Sequence, residues 1–189
     1  MKSETIEIRW HGRGGQGAIT AAKIVANAAF QTGYAGVVMT PTFGTERRGA
    51  PVLTSLKISK NKIYDLSPIE YPDMVVVLDH LLIEESPVWN GIKEGGLMII
   101  NTPKPLDAYP YQSIKVAVTD VTALSEEAGL AKGIVNTGII GTFSKASNLI
   151  DLEVLITAIE EEFKGKGARE NAMAARLAYE RTVIGRSSK

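Results

Sequence analysis

The 189-residue chain contains no cysteine. That excludes structural disulfides, cysteine-ligated zinc, iron–sulfur clusters and a thiol nucleophile within this sequence. Its two histidines, His11 and His80, lie too far apart to form a metal-ligand motif. Charge of either sign is not in excess, since 21 Lys and Arg balance 21 Asp and Glu. No overall field therefore favours nucleic acid or a membrane surface. No apolar run approaches the roughly 20 residues that span a bilayer, and MKSETIEIRW lacks the apolar core of a signal peptide. Internal repeats, low-complexity stretches and linkers are also missing. The expectation is one cytoplasmic domain over 1–189, without nucleic acid or membrane among its partners, and long enough to bury a sizeable core.

What is present alternates between strand and helix periods. Thr5 to His11 sets Ile6, Ile8 and Trp10 against Glu7, Arg9 and His11, which is a strand with one polar face. From Ala18 the apolar positions recur every three or four residues, a helix that Gly33 ends. Gly36 to Met39 reads as a second strand. Val52–Ser59 and Lys62–Tyr64 flank Lys60-Asn61 as a hairpin, which makes the sheet mixed. Met74–Leu78, Leu97–Ile100 and Ile114–Val118 are continuous apolar runs of the kind buried on both faces. Asp79, Asp120 and Asp151 stand where helices would be capped. Asn136–Ala146 is a glycine-interrupted helix, Leu152–Phe163 an amphipathic one, and Arg169–Val183 the last. Together these predict an α/β fold: a three-layer α/β/α sandwich around a mostly parallel mixed sheet, Rossmann-like.

Three stretches carry chemistry. RWHGRGGQGAITAAK places Gly12, Gly14 and Gly17 between the first strand and the first helix. Free N–H groups and the dipole at a helix start favour phosphate, and glycine lets a ligand approach the backbone. A tight turn packed on a neighbour is the alternative reading. The spacing fits G-x-G-x-x-G, but the dinucleotide version requires an acid about 20 residues on, at the end of the second strand. Val38, Met39, Thr40 and Pro41 occupy that place. The second stretch, FGTERRGAP, offers Arg47 and Arg48 as fork-shaped phosphate donors, with Glu46 to orient them. These arginines keep an NADP reading open. The third, GIVNTGIIGTFSKA, puts Asn136 at a helix start with Gly138 and Gly141 behind it. It reads either as a polar anchor for the same ligand or as capping plus close packing.

GRGGQG, FGTERRGAP and NTGIIG, in this order and separation, resemble the gamma subunit of 2-oxoacid:ferredoxin oxidoreductases, best known from pyruvate:ferredoxin oxidoreductase. The resemblance covers nearly the whole chain. It implies a single gamma-type domain, equivalent to a separate domain near the active site of single-chain relatives. It also implies membership of a complex that decarboxylates a 2-oxoacid, pyruvate by default, to acyl-CoA and reduces ferredoxin. Coenzyme A would be bound as substrate. Thiamine diphosphate, Mg²⁺ and the iron–sulfur clusters would sit in partner subunits. The contacts it implies are Gly12, Arg13, Gly14, Gly15, Gln16, Gly17, Phe43, Gly44, Glu46, Arg47, Arg48, Gly49 and Asn136. No catalytic or metal-ligating residue is expected in this chain, which would not be active alone.

Overall fold

The computed structural model describes residues 5–41 and 48–185. A seven-stranded sheet runs in the order β2-β3-β1-β4-β5-β6-β7. Its strands are β1 (Thr5–Arg13), β2 (Gly36–Pro41), β3 (Pro51–Ser59), β4 (Met74–Val77), β5 (Leu97–Asn101), β6 (Lys115–Thr119) and β7 (Val183–Gly185). β1, β4, β5 and β6 are mutually parallel. β3 is antiparallel to both β1 and β2, so β2 points the same way as β1. β7 closes the far edge antiparallel to β6. The mixed, mostly parallel sheet read from the sequence is present.

Helices α1 (Ala18–Gln31), α3 (Val121–Glu127), α4 (Asn136–Ser147), α5 (Leu152–Glu162) and α6 (Ala168–Arg181) all cover one face. Ile8, Trp10, Leu56, Ile58, Val76 and Ile99 point into that layer. The Trp10 and Phe143 rings meet at 5.5 Å between centroids. Alanine-rich α1 lies close on the sheet, with Ala21, Ala22, Ala28 and Ala29 fully buried. The second face is covered more thinly, by the five-residue α2 (Leu81–Glu85), a 3₁₀ turn at Leu106–Ala108 and loops carrying Val88, Tyr109 and Ile114.

Two expectations are corrected. The hairpin at Lys60-Asn61 does not form, and Lys62–Tyr64 is irregular. β3 already has β1 on one edge and β2 on the other, so no edge is free for a third strand. The antiparallel contribution comes instead from β3 itself. The segment after it doubles back over Gly36, where a Cβ would lie 2.2 Å from the Asn61 carbonyl oxygen. The last helix stops at Arg181, and Val183–Gly185 is the edge strand β7. The caps agree with the sequence: Asp120 accepts from the Ala123 N–H and Asp151 from the Glu153 N–H.

Candidate ligand site at the carboxyl edge of the sheet

β1 delivers the glycine turn to the edge where the parallel strands end, the usual ligand position of open α/β sheets. Gly15 (φ 93°) and Gly17 (φ 78°) take left-handed backbone, which bends the chain sharply into α1. No side chain caps the first turn of α1, which leaves its dipole facing the turn. The second loop is bonded directly to the first. The Gly14 N–H donates to the Ala50 carbonyl at 2.8 Å, and the Gly49 N–H donates to the Gly14 carbonyl at 3.0 Å. The Arg48 stem passes over Gly15, its Cγ 3.9 Å from where a Cβ would stand.

Asn136 closes the third side. It is the first residue of α4 and only 7 % exposed. Its side chain packs on Gly17, whose Cβ would fall 2.9 Å from the Asn136 Cβ. Its Oδ1 is buried without a hydrogen-bond partner among the described residues. Two helix starts, neither capped by a side chain, therefore meet at Gly17 and Asn136. Gly138 and Gly141 do not face this point. Cβ atoms there would meet Val121 and the backbone of Ala175, so they serve close packing against α3 and α6.

The structure thus brings Gly12, Arg13, Gly14, Gly15, Gln16, Gly17, Arg48, Gly49 and Asn136 together. Phe43, Gly44, Glu46 and Arg47 lie outside the described residues. Arg13 and Gln16 are turned inward. The Gln16 Oε1 accepts from the Arg13 N–H at 2.8 Å. The Arg13 guanidinium pairs with Asp79 at 2.7 Å and Glu85 at 2.6 Å, and these bonds, Glu85 first, raise its pKa further. His11 faces away from the helices. Burial, aided by the Arg9 charge, lowers its pKa to about 4, so near neutrality it is an uncharged ring and a poor anion contact.

Beside the turn, a cleft of about 460 Å³ opens past the ends of β4, β5 and β6, lined by Gln16, Leu78, Asp120, Glu126, Lys132 and Val135, among others. Asn101 holds its floor. Its amide donates to the Leu78 carbonyl at 2.9 Å and to the Thr122 hydroxyl at 3.0 Å, while its Oδ1 accepts from the Thr122 N–H. Sequence reasoning passed over Asn101. The available signal was a lone amide ending an otherwise apolar strand.

The profile described as Pyruvate ferredoxin/flavodoxin oxidoreductase matches residues 7–181. The chain belongs to that family. The common gamma subunit of the pyruvate/ketoisovalerate oxidoreductases of Pyrococcus abyssi is 45 % identical over 183 residues, covering 95 % of this chain and 98 % of that one. The crystal structure of the pyruvate oxidoreductase subunit PORC of Thermotoga maritima superposes with a TM-score of 0.82 at 32 % identity, over 97 % of this chain and 99 % of that one. At the level of fold alone, 95 % of the chain matches 32 % of the 2-oxoglutarate:ferredoxin oxidoreductase of Magnetococcus marinus, solved with 2-oxoglutarate, coenzyme A and succinyl-CoA (TM-score 0.74, 18 % identity). This family member is a gamma-type subunit of a multisubunit 2-oxoacid oxidoreductase. Among its described residues no helix is long and apolar enough to cross a membrane.

Proposed function

We propose that this gamma-type subunit binds the phosphorylated nucleotide head of coenzyme A and docks on subunits holding thiamine diphosphate, Mg²⁺ and iron–sulfur clusters. A chain without cysteine offers no thiolate for a cluster. The 2-oxoacid, with pyruvate as the default, is then selected by the thiamine-bearing partners, and ferredoxin is reached through the cluster-bearing ones. The observation that carries the reading is the bonded union of the two loops at the start of α1, with Arg48 laid over Gly15. It sets the stem of an arginine beside the uncapped start of α1 and its dipole, which is chemistry suited to phosphate. The adjoining cleft supplies room for the rest of the nucleotide, and its rim carboxylates Asp120 and Glu126 are acceptors for hydroxyl and amino groups rather than phosphate.

An NADP reading is weakened by topology. In the dinucleotide fold the second strand lies directly beside the first. Here β3 stands between β1 and β2, and β2 ends in Thr40-Pro41 without a carboxylate.

The test is steady-state kinetics of the assembled oxidoreductase carrying Arg48→Ala or Arg47→Ala. Each substitution raises the KM for coenzyme A by roughly tenfold, the size expected for one charge-assisted hydrogen bond, and the KM for the 2-oxoacid stays put. Unchanged coenzyme A kinetics in both variants would refute the site. Tight NADP(H) binding by the isolated chain would favour the dinucleotide alternative.

A further inference from the structure

We propose that Arg13 is a positioning residue, which does not touch the ligand but locks together the glycine turn, the end of the second loop and the β4–α2 connection. The kinetic half of this inference rests on the coenzyme A reading; the structural half does not.

The pleat of β1 sets the direction. Ile8 and Trp10 point toward α1, whereas Glu7, Arg9, His11 and Arg13 alternate onto the opposite face. The Arg13 side chain therefore leaves the sheet on the face away from α1, whose start is the anion-favouring element. There its nitrogens find acceptors from two distant segments. Nε donates to Asp79 Oδ2 at 2.7 Å and an Nη to Glu85 Oε1 at 2.6 Å. The other Nη reaches the Gly49 carbonyl at 3.3 Å. Its main-chain N–H meanwhile holds Gln16 in the turn.

One planar group thus ties the glycine turn, the end of the second loop and the β4–α2 connection. The lock is braced, because the other Asp79 oxygen accepts from the Leu81 N–H at 3.0 Å and so starts α2. An anion approaching this guanidinium would meet two carboxylates already paired to it. Lysine, a single point donor, cannot span the same three acceptors.

Positioning and direct contact predict opposite signs for Glu85→Gln. In the assembled oxidoreductase, Arg13→Ala raises the KM for coenzyme A by roughly tenfold, with kcat still reached at saturating coenzyme A. Glu85→Gln raises the KM in the same direction by less. Its side chain is 52 % exposed, so the core is not disturbed. The double variant is no worse than Arg13→Ala alone, as a shared interaction requires, and Arg13→Lys restores only part of the loss. A KM that falls on Glu85→Gln, because the freed guanidinium now reaches phosphate, overturns the proposal.

Hydrogen exchange supplies a readout independent of coenzyme A. The Gly14 and Gly49 amides, which bond the two loops, exchange faster in Arg13→Ala and unchanged in Arg48→Ala. Unaltered exchange in Arg13→Ala overturns the lock whatever the kinetics. Faster exchange with no change of coenzyme A KM in any variant, Arg48→Ala included, upholds the lock and overturns the coenzyme A reading.

Discussion

His11 shows what a single side chain contributes when its surroundings are fixed by a strand. It sits on the polar face of β1 beside Arg9, its Nε2 buried and without a partner among the described residues. Its pKa falls to about 4 in the folded chain, against roughly 6.5 when unfolded. Between those values the unfolded chain binds the extra proton, so stability drops as pH falls from about 6.5 to 4. The loss amounts to on the order of 3 kcal/mol across that window. Thermal unfolding of His11→Gln should follow a flatter pH profile than the wild type there, and identical profiles would remove His11 from the account. At this scale much was legible. Strand alternation put Trp10 in the core and His11 on the polar face, and Trp10 is fully buried. The partners of Arg13 were not legible. Asp79 and Glu85 lie 66 and 72 residues away, and only the sheet's strand order brings them near.

Among elements, the α4–α6 contact depends on a single glycine. Gly141 lets the helices approach until a Cβ would stand 1.9 Å from the Ala175 carbonyl oxygen. That oxygen belongs to helix backbone and cannot yield without moving α6. Gly141→Ala should destabilise by roughly 3 kcal/mol, the upper end for overpacking, measured as a lowered denaturation midpoint. Gly133→Ala, where no atom lies within 4 Å of the added Cβ, is the control for strain alone, since its φ is 85°. The starts of α3 and α5 are readable because Asp120 and Asp151 cap them chemically. The segment that carries the α4 glycines reads as capping plus close packing or as a polar anchor; Gly138 and Gly141 do pack closely, on α3 and α6, whereas no side chain caps the helix. Short β7 is hidden in the sequence because its apolar residues run on from α6, and no Gly or Pro stands between them. The false hairpin had a plausible turn, yet pairing is decided by which edges are already taken.

At the scale of the molecule, the described residues are lopsided, with five helices on one face and little but loops on the other. The α/β class follows from the alternation of periods, whereas the mixed sheet is read from a hairpin that does not form, and β3 supplies the antiparallel strand instead. The insertion of β3 between β1 and β2 does not follow, since nothing local records a strand's neighbours. That insertion also sets the candidate site apart from a dinucleotide fold, although the glycine spacing is the same. Removing α6 and β7 by ending the chain at Gly167 should abolish cooperative unfolding, because Ala172, Ala174, Ala175 and Ala178 are buried against the other helices. A sharp thermal transition in that truncation would show the helix layer to be independent of its last member.

The place of α6 after α4 and α5 in the chain also bears on how the protein is made. Residues 5–59 already hold three adjacent strands and α1, and can associate while synthesis continues. Gly138 of α4 can pack on α3 at once, but Gly141 has no lid until α6 leaves the ribosome. For that interval the nascent chain displays a bare apolar flank, the kind of surface that chaperones and proteases survey. The helix layer is therefore closed only when residues 168–181 have been made, and a copy stalled or clipped before them keeps that flank bare.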